Sequence, residues 1–434
     1  MIHILIRYLG IKTKLLDDID KQVKQISKKG DVILDLFAGS NVVGQSLCKE
    51  RIIYSNDIQK YSYVVGKATI EINHKFDYKK INISKVEDSI YFKKNMSYLL
   101  KYFNDATKYE SVVINKTLKD FSYNNLLLLK QLYENTPYTG HYTDSIICFK
   151  GLEKIYTEDF YNSLKQKEYY MLFSLNYAMP YFSLNQAIYI DSFRYAIEKM
   201  KKKSIITSTE YYVYLSLLIY ALECSVTSIG DHFAQPQKFK LSSEKKYRKG
   251  LEKLLLKKST NLHEIMLEKQ KEFQSIEPAN YSSKNKCFNM DCIELLNDKN
   301  VIKDVDVIYM DPPYTNAHYS RFYHILETLV NYNYPKLEYN GRYSNERYQS
   351  PFCQKKQAKK EFEKMIHLCV KNRKKIIISY SDTKQCLIDY EDIKSICKKN
   401  YRSVNIKKIS YLYRNFGQKP NKVNGNELII VCEV

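Results

Sequence analysis

Four consecutive residues, Asp311-Pro312-Pro313-Tyr314, follow the apolar run 305–310 and combine a carboxylate, two prolines and an aromatic ring. Proline fixes φ and has no N–H, so the Pro312 carbonyl would sit in a rigid turn with no adjacent donor competing for it. A carboxylate beside a fixed carbonyl, walled by a ring, makes a small slot that fits a planar amine. The plainer alternative, a strand that merely ends in a rigid turn, stays open on these residues alone.

Other carboxylates recur after strand-like runs. Asp57 follows Ile52-Ile-Tyr-Ser-Asn56, and Asp291 closes Lys286-Cys-Phe-Asn-Met. Ligands of open α/β sheets bind at the carboxyl ends of the strands, so Asp57, Asp291 and Asp311 would meet in one crevice. Each acid taken singly is as well explained as the cap of the next helix. Taken with Gly39, in a turn that enters a helix, the set points to a nucleoside-bearing cofactor. Glycine lets the backbone come close to a ligand, and an acid at the next strand end can accept both ribose hydroxyls. Neither GxGxxG nor GxxxxGK[ST] occurs, which disfavours a pyrophosphate cradle and an NTPase.

The elements that must hold these groups alternate between strand and helix at both ends of the chain. Residues 31–36 and 52–56 read as strands, each followed by a helix-like segment. Alternation resumes with strands at 286–291, 305–310 and 375–380, with helical stretches at 292–297, 320–331 and 386–399. Two final strands, 404–413 and 427–432, flank the turn-rich stretch 417–425 and predict a hairpin. Between the two ends lies a Lys-, Tyr-, Leu- and Asn-rich region with helical periodicity at 124–133, 188–202 and 209–223 and a lysine-rich helix at 243–273. The expectation is an α/β domain split into residues 1–74 and 281–434 by a mainly helical insert, 75–280.

The chain has 434 residues, enough for more than one core. Lys plus Arg outnumber Asp plus Glu by 69 to 48, and the resulting +21 favours a polyanionic partner, nucleic acid first. An AT-rich coding sequence would produce the same Lys, Asn, Ile and Tyr usage, and the 41 tyrosines fit either base stacking or core filling. Ten cysteines are scattered without a CxxC pair or zinc spacing, so free thiols and no metal are expected. No apolar run is long enough to span a bilayer, and the first residues lack a secretory signal pattern, so the expectation is a cytoplasmic protein without a membrane partner.

In chain order these stretches resemble the adenine-N6 DNA methyltransferases that use S-adenosyl-L-methionine, in the Dam-like subgroup with its cofactor motif at the N-terminus. Arg7-Tyr-Leu-Gly-Ile-Lys-Thr-Lys-Leu-Leu-Asp-Asp-Ile19 resembles the opening segment. Asp35-Leu-Phe-Ala-Gly-Ser-Asn-Val-Val-Gly44 resembles the cofactor loop, with Asn41 standing where glycine is usual. Asn56-Asp57 and Asn289-Met-Asp291 match the two further cofactor acids, and Asp311 to Tyr314 match the catalytic motif. The resemblance implies a Rossmann-like class I methyltransferase domain with a mixed seven-stranded sheet. It implies that Tyr8, Lys12, Asp35, Phe37, Gly39, Asp57 and Asp291 hold the cofactor, with Tyr8 near its adenine and Lys12 near its methionine part.

For the chemistry, the resemblance implies methyl transfer to a flipped-out adenine in duplex DNA. The adenine amine is a poor nucleophile because its lone pair is delocalised into the ring. Asp311 and the Pro312 carbonyl would each accept one N–H and aim the lone pair at the methyl, with Pro313 stiffening the turn and Tyr314 as the stacking wall. No cysteine nucleophile is required. His318, Tyr319, Arg321, Arg342 and Arg347 near the motif, and His232 and Gln235 in a turn of the insert, are expected DNA contacts. A separately encoded restriction endonuclease would be the biological partner. The competing readings are the same chemistry on RNA, and a methylase-like protein that binds DNA without turnover, for which Asn41 is the sole support.

Overall fold

Short β-branched runs flanked by helices build one parallel sheet with an antiparallel edge, in a computed structural model that describes residues 12–72, 75–134, 152–230, 232–237, 245–276, 282–338, 342–414 and 422–434. The strands are β1 (Val32–Asp35), β2 (Ile52–Asn56), β3 (Lys286–Phe288), β4 (Val307–Met310), β5 (Lys375–Asp382), β6 (Ser403–Arg414) and β7 (Lys422–Glu433). Their spatial order is β3-β2-β1-β4-β5-β7-β6. The first five run parallel, and β7 is antiparallel to both β5 and β6. The order reverses between β1 and β4, and a crevice at that switch point is where such sheets take ligands.

Both faces of the sheet are covered, which explains why β1, β2 and β4 read as continuous apolar runs rather than alternating ones. Leu34, Ile308, Ile376, Ile378, Leu428 and Ile430 pack on one side against Leu295, Phe362, Met365 and Ile393. Ile33, Ile53, Val307, Ile377, Ile429 and Val431 pack on the other against Ile19, Val23, Val43 and Leu47. This is an α/β Rossmann-like layer arrangement, as expected.

Two compact units result. One comprises residues 1–78, 275–322 and 347–434 and contains the sheet; the other comprises 79–274 and 323–346. Residues 323–346, expected with the catalytic part, therefore fall in the second unit. The reason is a buried polar network: Asp191 accepts from the Phe173 and Ser174 amides at 2.9 and 2.8 Å and from the Tyr332 hydroxyl, while Arg194 Nε donates to Leu329 O at 3.1 Å. A buried carboxylate with unfilled acceptors is costly, and Tyr332 supplies one of the donors that satisfy Asp191.

The second unit is mainly helical. Helices Leu184–Lys202 and Ser208–Ser225 each begin with a reciprocal capping box, Ser183/Gln186 and Thr207/Glu210. The longest helix, Ile90–Lys119, was not legible as one element, and the lysine-rich stretch 243–273 is two helices, Lys245–Ser259 and Leu262–Gln274. Asn261 restarts the second by accepting from the His263 amide at 2.9 Å. No helix among the described residues is long and apolar enough to cross a membrane.

Two details of the sheet unit differ from expectation. The last strand begins at Lys422, so Gly425 pairs with Tyr411 inside the hairpin rather than in its turn; residues 415–421 lie outside the described residues. The crossover between β4 and β5 carries a further helix, Ala358–Lys371, whose buried stripe is Phe362, Met365, Ile366 and Cys369.

Candidate active site

The cleft opens at the carboxyl ends of β1, β2, β3 and β4. Phe37, Asp57, Met290, Asp291, Asp311, Pro313, His318, Tyr319, Tyr348 and Phe352 are among its lining residues. The three strand-end carboxylates, Asp57, Asp291 and Asp311, do converge on it. Its apolar wall is built by Phe37, set edge-on to Phe352 at 5.5 Å between ring centres.

The turn after β1 shows why the sequence departs from glycine at one place. Gly39 has φ 51° and Asn41 has φ 62°, both in the left-handed region that costs most side chains about 1–2 kcal/mol. Asparagine is among the residues that best tolerate it. Here its amide is also fully used: Nδ2 donates to Ser62 O at 2.9 Å and Ser62 Oγ at 3.2 Å, and Oδ1 accepts from Ser55 Oγ at 2.6 Å. Asn41 is completely buried and is not among the cleft-lining residues.

Asp57 ties that turn to β2. Its Oδ2 accepts from the Gly39 amide and its Oδ1 from the Gln59 amide, each at 2.8 Å. Burial pushes its carboxyl up to about 6 against those two bonds. Asp35 accepts from the backbone amides of Phe37 and Gly44, yet its Oδ1 is buried without a hydrogen-bond partner. Burial first, then the charges of Asp311 and Asp57, raise it to about 8. Asp291 caps the helix Cys292–Asn297 by accepting from Ile293 N at 2.9 Å, and its other oxygen accepts from the Tyr348 hydroxyl at 2.9 Å. The capping and cleft-lining readings of this acid therefore hold together.

Lys12 is held between two carboxylates. Its buried ammonium lies 2.8 Å from Glu427 Oε1 and 3.1 Å from Asp311 Oδ1, and 5.9 Å from the centre of the Tyr314 ring. Burial alone would push it down, but Asp311 and Glu427 outweigh that and hold its pKa well above the usual lysine value. Burial, opposed by Lys12 and reinforced by Glu427, lifts Asp311 to about 6. Apart from this ion pair with Lys12, Asp311 Oδ1 has no polar partner among the described residues.

Of the motif itself, Asp311 and Pro313 line the cleft, whereas Pro312 and Tyr314 are not among its lining residues. The Tyr314 ring is buried, 5.8 Å from Tyr380. Its carbonyl accepts from Leu387 N at 2.9 Å, pinning the turn to the loop after β5. Tyr8 lies outside the described residues. Glu427 and Ser379, which complete the Lys12 site, were not singled out in the sequence. The available signal was an acid on the face of β7 that otherwise carries Ile429 and Val431.

The expected DNA contacts divide between the units. In the sheet unit, His318 and Tyr319 line the cleft; burial, then Arg347, lowers the His318 pKa, and burial, then Tyr314, raises that of Tyr319. Arg321 sits in the short helix Tyr319–Phe322, and Arg347 follows in the same unit. In the helical unit, Arg342 is held at φ 51° with its carbonyl accepting from the Tyr177 hydroxyl at 3.0 Å. His232 Nδ1 accepts from Ala234 N at 3.2 Å, and the buried Phe233 anchors its turn through a 2.9 Å bond between its carbonyl and His324 Nε2. Gln235 is left exposed on that turn.

Residues 8–170 match the family model of the D12 class N6 adenine-specific DNA methyltransferases. Type II methyltransferase M.FokI of Planomicrobium okeanokoites is 24% identical over 97% of this chain and 51% of its own length. Modification methylase StsI of Streptococcus sanguinis is 26% identical over 94% and 50%, and modification methylase LlaI of Lactococcus lactis subsp. lactis 25% over 91% and 48%. The chain thus spans about half the length of these relatives. The family match ends before β3 and does not reach Asp311.

Proposed function

We propose, from the premise that this chain belongs to the D12 class of N6 adenine-specific DNA methyltransferases, that it transfers a methyl group from S-adenosyl-L-methionine to adenine N6 in duplex DNA. The observation that carries the reading is Asp311: a largely buried carboxylate at the end of β4, lining the cleft beside Asp57 and Asp291, with one acceptor position unfilled.

The residues present fit that donor. An apolar wall at Phe37 and Met290 and the acids Asp57, Asp291 and Asp311 at the ends of β2, β3 and β4 suit a nucleoside that carries a positive charge. The donor supplies an electrophilic methyl on a sulfonium. Asp57 and Asp291 hold its hydroxyl and amine groups, and Asp35 with Gly39 shapes the turn against which it lies. Asp311 Oδ1 and the Pro312 carbonyl accept the two N–H bonds of the target amine, which drives its nitrogen toward a localised lone pair. Pro313 stiffens the turn, and the buried Tyr314 ring, packed on Tyr380, would have to turn into the cleft to serve as a wall for the base. His318, Tyr319, Arg321 and Arg347 of the sheet unit, and Arg342, His232 and Gln235 of the helical unit, contact the DNA, with the helical unit selecting the target sequence.

The names of the relatives support a role in DNA modification; a separately encoded endonuclease as partner and a cytoplasmic location are part of this proposal. The test is to express the chain with a plasmid in a host lacking adenine methylation, digest the DNA to nucleosides and measure N6-methyladenine by mass spectrometry. N6-methyladenine in that DNA supports the reading; its absence, or methylation of co-purified RNA instead, overturns the DNA assignment.

A further inference from the structure

Lys12 touches two carboxylates, and the two contacts are unequal. The Glu427 contact, 2.8 Å, is a hydrogen bond; the Asp311 contact is a longer ion pair, 3.1 Å. Glu427 also accepts from Ser379 Oγ at 2.7 Å, across the β5-β7 pair in which Ser381 lies opposite it. Its side chain is 1% exposed and shares a strand face with Ile429 and Val431, which are core residues. Burying an ion pair there adds little or nothing to stability over an apolar side chain of similar size, so stability alone gives no reason for it. The asymmetry assigns different parts to the two acids: Glu427 is the anchor of the ammonium, and Asp311 is the member able to exchange partners.

We propose that Glu427, with Ser379 behind it, is a positioning residue that holds the Lys12 ammonium beside Asp311 and so orients the carboxylate that receives the target amine. The inference rests on the methyl-transfer reading and adds to it the residues that make Asp311 an effective acceptor. Asp311 is faced by Lys12 from the segment before β1, Glu427 from β7, Asp35 from β1, Tyr309 from β4, and Tyr314 and Tyr319 from the turn after β4. Within that set Lys12 favours the ionised carboxylate and Glu427 disfavours it. Removing Glu427's charge therefore moves Asp311 titration to lower pH, and removing Lys12's moves it to higher pH.

The experiment measures single-turnover methyl transfer to duplex DNA between pH 5 and 9 for the wild type, Glu427→Gln, Lys12→Met and the double substitution, with folding checked by thermal melting. At pH 8 Glu427→Gln is expected to lower the rate roughly tenfold to a hundredfold, through a misplaced rather than a missing carboxylate. Its acid limb moves to lower pH, that of Lys12→Met moves to higher pH, and the double variant outruns Lys12→Met because one of two uncompensated buried charges is gone. Should Glu427→Gln fail to fold, Ser379→Ala is expected to give a smaller loss in the same direction.

A Glu427→Gln rate within about twofold of wild type with an unmoved acid limb overturns the proposal. So does a double variant slower than Lys12→Met, or an unaffected Ser379→Ala where that variant stands in. A wild-type protein that transfers no methyl to DNA defeats the functional reading instead. In that case the pH dependence of S-adenosylmethionine binding, measured by calorimetry, decides the positioning role: opposite shifts in Glu427→Gln and Lys12→Met uphold it, and unshifted profiles overturn it.

Discussion

Replacing Asn41 separates backbone strain from side-chain bonding in the cofactor turn. Asn41→Ala keeps a β-carbon at φ 62° and removes the side chain that holds Ser55 Oγ at 2.6 Å and Ser62 O at 2.9 Å, leaving both oxygens in a fully buried site. Each lost bond with an unsatisfied partner costs about 1–3 kcal/mol, so the variant should lose roughly 2–6 kcal/mol in the unfolding of the sheet unit. Asn41→Gly loses the same bonds but escapes the left-handed penalty, and should be about 1 kcal/mol more stable than Asn41→Ala. Equilibrium urea unfolding, followed by a probe in the sheet unit because the two units need not melt together, gives both numbers. Both glycine and alanine variants should bind S-adenosylmethionine once folded, since Asn41 is not among the cleft-lining residues. An alanine variant as stable as wild type, or a glycine variant less stable than the alanine one, would refute the reasoning.

Other consequences follow from the buried acids. Asp57→Ala removes the acceptor of the Gly39 and Gln59 amides, so S-adenosylmethionine binding measured by calorimetry should weaken at least tenfold, about 1.4 kcal/mol or more; unchanged affinity would remove Asp57 from the donor site. Asp35, raised to about 8, binds its proton more tightly folded than unfolded, so its contribution is present below pH 4 and is lost as pH rises through about 8. Asp35→Asn should therefore flatten the fall in melting temperature between pH 5 and pH 8 that the wild-type protein shows without donor. An unchanged slope would contradict the shifted acid.

The Asp311–Tyr314 turn and the strand-end acids were legible because their placement is local: a strand, a turn and the residue at its end are neighbours in sequence. Asn41 was legible in the same way, since its tolerance of positive φ is a property of the residue itself. Lys12 was recognised but its partner was not, because Glu427 lies 415 positions away and meets it only after the hairpin closes the sheet. The assignment of residues 323–346 to the helical unit was hidden for a like reason. It depends on Tyr332 reaching Asp191 and on Arg194 reaching Leu329 O, tertiary bonds that no periodicity announces. The helix Ala358–Lys371 went unread although its stripe of Phe362, Met365, Ile366 and Cys369 is regular, because lysines and glutamates at six of its fourteen positions masked the apolar face.

The central claim is that Asp311 and the adjoining Pro312 carbonyl together make the adenine amine reactive. Rapid-quench measurement of a single methyl transfer by wild type and Asp311→Ala, each saturated with labelled S-adenosylmethionine and duplex DNA, tests it most directly. A fall of roughly a thousandfold or more in the transfer step, about 4 kcal/mol, with donor affinity retained, is the expected result. Transfer by the alanine variant at the wild-type rate would contradict the account.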